Sequence, residues 1–225
     1  MTRPIDRQTF ERSLVNYASP TLANIKAAAL FTFPGPYAHT NSQARSAHKI
    51  EKRRRELLAL IDRISQELNP KGINIRVLVW RSCGALIYMW RPRALAAHLT
   101  DGRVQQALEQ AGYDTGDTDT CLEQLARRIA AASKRKPAEC ALSNACQNDC
   151  PCEFPHEIGF FLDYPTEDVL GFIGNEGRNY LAVGPWKVYS NLACALDTFE
   201  RYARVTRTYQ MSYQRQGCLA RLTVA

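Results

Sequence analysis

Apolar positions along the 225-residue chain change period several times, and each change marks an element. Phe10, Leu14 and Tyr17, spaced four and three apart, predict a helix over 6–17 that packs on one face. Ser19 as N-cap and Pro20 in a first turn predict a second, short helix over 20–29. "TFPGPYAHTNSQ" then reads as a loop. Residues 42–68 carry a strong helical stripe, Leu57, Ile61, Ile64 and Leu68, which "NPKG" stops. "INIRVLVW" and "ALIYMW", joined by "RSCG", give the best hairpin signal in the chain, and Pro92 ends it. Helical spacing returns over 104–111 and 121–132, with the turn residues "GYDTGDTDT" between.

Lys134, Arg135, Lys136 and Pro137 open a cysteine-rich segment, 134–154, that reads as a surface loop. In "FPHEIGFFLDYPTEDVLGFI", Ile158, Phe161 and Leu162 have helical spacing, whereas "IGFFL" alone also suits a buried strand. Pro155 and Pro165, placed as first-turn prolines, favour helix. "NYLAVGPWKVYS" reads as extended with a turn at Gly184 and Pro185. Residues 192–213 read as a long helix buried through Leu192, Leu196 and Phe199. The sum is one α+β domain over 1–225, predominantly helical, around a small β-sheet built on the central hairpin, with "WKVY" as a further strand.

Composition narrows the class. The chain is 45% apolar and 23% charged, long enough to bury a core without staples, and has no apolar run of roughly 18 residues for a membrane span. Asp6, Arg7, Glu11 and Arg12 interrupt the first segment, so no secretory h-region stands there and the expected location is cytoplasmic. A net charge of +7 permits anionic partners. The densest basic run, Arg53 to Arg55, belongs to no nucleic-acid motif and reads as a solvated helix face, so nucleic acid is disfavoured as a partner.

In a cytoplasmic setting, eight cysteines point to metal or redox chemistry before structural disulfides. Cys140, Cys146, Cys150 and Cys152 crowd one segment; four thiolates can wrap a zinc ion or an iron-sulfur cluster, so a metal- or cofactor-associated protein is expected. Their spacing, with five, three and one residues between, matches no paired CxxC knuckle, and a disulfide or free thiols remain open. Four protein ligands would make a metal here a structural clip rather than a catalyst. His156 and Glu157 follow closely: an imidazole and a carboxylate can supply a general base, His156 can add a ligand to the cluster, and the plainer reading is a helix-start pair. Asp168 most simply forms the acidic first turn of a helix, and Trp186 and Tyr189 fill core.

"SPTLANIK", "NPKG", "ALIYMWRP", the block His-Glu-Ile-Gly-x-Phe-Leu-x-Tyr-Pro-x-x-Asp-Val-x-Gly-Phe-Ile, "GPWKVY" and "RLTVA", in that chain order, resemble a bacterial family of unknown function common in anaerobes. The resemblance covers nearly the whole length and implies one cytoplasmic domain without lending an activity. It also implies a cysteine before the first block, where this chain has Ala18. A cysteine at a helix N-terminus would be an activated nucleophile; Ala18 cannot be, and Cys83 sits in the hairpin turn, so a papain-like thiol mechanism is disfavoured. Within the blocks, Lys26 and Lys187 are cations suited to a small anionic ligand. An alternative function is therefore a ligand-binding protein or enzyme whose pocket gathers Thr21, Lys26, His156 and Glu157.

Overall fold

The computed structural model describes residues 5–38, 47–134 and 154–225. Its centre is a three-stranded antiparallel sheet in the order β1 (Ala28–Pro34), β3 (Gly84–Trp90), β2 (Asn74–Trp80). The hairpin is the one the sequence predicts, with Asn74 opposite Trp90 and a bulge between Val77 and Val79. β3 is buried along its entire length, because helices cover both of its faces. Alternate side chains feed two cores: Ala85, Ile87 and Met89 on one side, Leu86, Tyr88 and Trp90 on the other. A strand wetted on neither face reads as a continuous apolar run, as "ALIYMW" does.

The first core packs α1 (Arg7–Leu22) and α2 (Ala47–Leu68) on the sheet through Phe10, Leu14, Leu57, Ile61 and Ile64. Asp6 caps α1, accepting the Thr9 N–H at 2.8 Å. The second core packs α3 (Pro92–Leu99), α4 (Gly102–Gln110), α5 (Thr118–Lys134), α6 (Ile158–Phe161) and α7 (Thr166–Gly174) on the other side, with Phe160 and Phe161 fully buried. A separate two-stranded ribbon, β4 (Ala182–Val183) with β5 (Lys187–Val188), precedes the long α8 (Leu192–Gln216) and the short α9 (Leu219–Leu222). Predominantly helical α+β architecture is thus observed. The "WKVY" strand, however, pairs in its own ribbon and not with the central hairpin.

Three local expectations are corrected. Residues 20–29 do not form a second helix: α1 continues through Pro20 to Leu22, and β1 begins at Ala28. Ser19 is no cap; its hydroxyl donates back to the Val15 carbonyl inside α1, and Pro20, in the last turn, leaves the helix without one N–H that would bond four residues back. Ala18 is accordingly buried near the C-terminal end of α1, where burial and the negative end of the helix dipole would raise a thiol pKa rather than lower it. On α8, Leu192 and Leu196 are 37% and 50% exposed, and the buried face runs through Ala195, Tyr202 and Tyr213. Cys140, Cys146, Cys150 and Cys152, with most of the 134–154 segment, lie outside the described residues.

Many of the stretches that carry the resemblance meet in one clasp. Arg91, buried at the end of β3, donates to the carbonyls of Thr21 at 2.7 Å, Leu22 at 3.0 Å, Val224 at 2.6 Å and Lys71 at 3.3 Å. Lys71 in turn donates to Ala220 and Thr223. Among the described residues no Asp or Glu side chain pairs with Arg91, and burial lowers its pKa. A planar guanidinium suits the task because it fans several donors in fixed directions.

Candidate functional site

Asp168 builds the first site. It lies in the first turn of α7, as its sequence position suggests, yet it is only 3% exposed and its side chain leaves the helix. One carboxylate oxygen accepts the Tyr189 N–H at 2.8 Å and the Ser190 N–H and hydroxyl, both at 2.9 Å; the other accepts the Trp186 indole N–H at 2.7 Å. Four donors satisfy a carboxylate without a cation, and together they fasten α7 to β5 and its flanks.

This fastening holds Trp186 upright as one wall of a cavity of about 230 Å³. Phe154, His156, Tyr164 and Phe172 supply the other aromatic surface, with Lys187 at the lining. The His156 ring rests on Phe172 with centroids 4.9 Å apart. The Lys187 ammonium donates to the Gly177 carbonyl at 2.7 Å and lies over the Tyr180 ring at 4.8 Å and Phe172 at 5.5 Å. Gly177 offers that carbonyl from a left-handed turn, φ 70°.

Across a wall of Tyr164, Trp186 and Phe199 lies a second cavity of about 470 Å³, between α1 and α8. Thr21, Lys26, Tyr202 and Arg207 are among its lining. Gly184 makes the wall possible, since a Cβ there would sit 2.3 Å from the Phe199 ring. The Lys26 ammonium lies over the Tyr164 ring, 4.7 Å from its centroid. Burial lowers the Lys26 pKa to about 8, partly countered by the Asp163 carboxylate. Tyr164 and Tyr202 are each pushed up to about 12 by burial. Asp163 itself takes the left-handed conformation, φ 58°, that ends α6, and so turns its carboxylate back to accept the Ala27 N–H at 2.7 Å. His98 faces the same carboxylate at 3.7 Å.

The residues singled out from the sequence therefore divide. Thr21 and Lys26 share the second cavity; His156 and Lys187 share the first. Glu157 lines neither. It pairs with Arg128 at 2.9 Å, and Arg128 also bonds the Ala111 carbonyl and covers the Tyr113 ring at 4.2 Å. The adjacent imidazole and carboxylate point to different work, so they form no base-and-orienter pair. Arg53 and Arg54 lie over the Tyr37 and Trp80 rings, at 5.4 and 5.3 Å, and only Arg55 of that run is exposed. Arg91, Asp163 and Arg128 carry no mark in the sequence pattern strong enough to single them out; Asp163, between the apolar "FFL" and the Tyr-Pro pair, is the one whose position holds a signal.

Among the described residues, no group of three or more His, Cys, Asp or Glu side chains is placed to hold a metal ion, and no helix is long and apolar enough to cross a membrane. The fold and cavities define a mixed α+β protein with two small cavities flanking an aromatic wall. The chain belongs to the family described as Protein of unknown function (DUF3793), which matches residues 14–223. No curated protein matches the chain, nor does any solved structure.

Proposed function

We propose that the protein binds a small, planar, largely apolar ligand with one anionic edge in the cavity beside His156. The observation that carries this reading is the aromatic box itself: Phe154, Tyr164, Phe172 and Trp186 around a void of about 230 Å³ whose rear wall Asp168 fixes in place. Such a volume lies below the range of about 300–1,000 Å³ for drug-sized ligands, so it suits one fused ring system or a fragment of a larger cofactor. Flat aromatic walls favour stacking, and Lys187 and His156 favour the anionic edge. If the protein is an enzyme, His156 is the group with the chemistry for proton transfer, and Glu157 serves to anchor its chain through Arg128.

The imidazoles provide the test, because the chain holds four histidines and their signals are separable by NMR. Titration with 2-naphthoate should shift the His156 signals saturably and leave those of His98 in place, with His156→Gln assigning the resonance. A His156 signal unmoved at millimolar naphthoate would refute the reading.

A second reading concerns the cysteines: Cys140, Cys146, Cys150 and Cys152 bind zinc or an iron-sulfur centre. What favours it is their crowding in the sequence, four thiols within one short segment. Protein purified without oxygen should then carry stoichiometric zinc or iron, lost on conversion of Cys150 and Cys152 to serine. Metal-free, folded protein would rule it out.

A further inference from the structure

The second cavity holds chemistry that the ligand box does not use. Lys26 lines it with its amine against the Tyr164 ring rather than in an ion pair. Asp163, the carboxylate whose charge acts on that amine, already accepts the Ala27 N–H and faces His98. Thr21, fully buried, has a hydroxyl without a hydrogen-bond partner among the described residues, and it lines the same cavity. Arg207 stands exposed at the lining and forms no ion pair with a described residue. An amine, an unpartnered hydroxyl and an unpaired guanidinium around one void of about 470 Å³ are complementary to a molecule with a carbonyl and a carboxylate.

We propose that Lys26 is the covalent anchor of a second ligand site, forming an imine with a small carbonyl acid of the 2-oxo-acid or aldehyde-acid class. The neutral amine adds its lone pair to the carbonyl carbon; the C=O bond is replaced by C=N, the nitrogen gives up its two protons, and the carbonyl oxygen departs with them as water. No electrons are transferred, so no oxidant or reductant takes part. Arg207 receives the carboxylate, and the Thr21 hydroxyl bonds the carbonyl oxygen as it leaves. Desolvation favours the reactive form: with a pKa near 8, about a quarter of Lys26 is neutral at pH 7.5, against roughly one in a thousand for a solvated lysine. Asp163 opposes this by favouring the ammonium; Tyr164 and Tyr202, both neutral at that pH, do not.

The site lies on the opposite side of the aromatic wall from His156, so its test is independent of naphthoate binding. Intact protein is treated at pH 7.5 with glyoxylate and cyanoborohydride, which traps the imine as carboxymethyl-lysine, and modified peptides are counted by mass spectrometry. Lys26 should be labelled at least tenfold faster than the exposed Lys49 and Lys52. Arg207→Ala should slow labelling by glyoxylate several-fold and leave labelling by acetaldehyde, which lacks the carboxylate, unchanged. Labelling of Lys26 no faster than that of Lys49 in the wild-type protein overturns the proposal. Indifference of the glyoxylate reaction to Arg207→Ala overturns its carboxylate half. Because the first comparison needs no variant, misfolding cannot obscure it.

Discussion

Replacing Asp168 with Asn keeps the shape of the side chain and removes one acceptor, which makes the cost calculable. In its better orientation the amide oxygen still accepts from Tyr189 and Ser190, while the amide NH₂ meets the Trp186 indole N–H, donor against donor. Three bonds to a carboxylate become bonds to a neutral acceptor, at about 0.5 kcal/mol each, and one buried N–H loses its partner at about 1–3 kcal/mol. Burying a neutral amide in place of an anion returns part of that, through desolvation. The expected net loss is about 2 kcal/mol, a sizeable share of the roughly 5–15 kcal/mol typical of a domain. Urea unfolding followed by fluorescence measures it. Trp186→Phe supplies the control, since in that background no indole donor is left stranded: the double-mutant cycle should give a coupling of about 1–2 kcal/mol. A loss below about 0.5 kcal/mol, or a coupling near zero, would refute the idea that this carboxylate holds the cavity wall.

Arg91→Lys should cost about 3 kcal/mol, because an ammonium cannot reach four carbonyls spread over three chain segments. For a chain of this size that corresponds to a fall in Tm of about 6–12 °C, and an unchanged Tm would show the clasp to be incidental. Lys26→Met probes the buried amine through pH. Between pH 8 and 10.5 the unfolded chain keeps the Lys26 proton that the folded chain has released, so wild-type stability should rise across that window relative to the variant. The ceiling is about 3 kcal/mol, the free-energy equivalent of lowering the amine from its ordinary 10.5 to about 8. Tyr164 and Tyr202 act oppositely, their stabilisation being lost as pH climbs from 10 towards 12, which is why the difference between the two proteins is the quantity to plot. A flat difference curve would contradict the lowered pKa.

The hairpin and α2 are legible in the sequence because their signals are local: a run of β-branched and aromatic residues, and a stripe at helical spacing. β1 is not, since "AAALFTF" after a Ser-Pro pair imitates a helix start, and only the paired edge of β3 makes it a strand. The buried face of α8 misleads because Leu192 and Leu196 look like core, whereas Ala195 and Tyr202 pack against Trp186. The "HEIG" block reads as helical, and helix is found over Ile158–Phe161 and Thr166–Gly174, but Pro155 precedes the first and Pro165 is the N-cap of the second, so neither is the first-turn proline expected; that Asp168 reaches residues 18 to 22 positions later is a tertiary fact with no local trace. Arg91 is the least visible of all. Its partners are backbone carbonyls, which every residue has, so no pattern of side chains announces them.

The Arg128–Glu157 ion pair ties α5 to the chain just before α6, one residue beyond the cavity-lining His156. Two carboxylates thus frame the aromatic box through their neighbours in the fold: Asp168 behind Trp186, and Glu157 beside His156. The box inherits its shape from acidic groups whose own partners are an indole, backbone amides and a guanidinium, so a change at either acid would alter the cavity without replacing a ring that lines it.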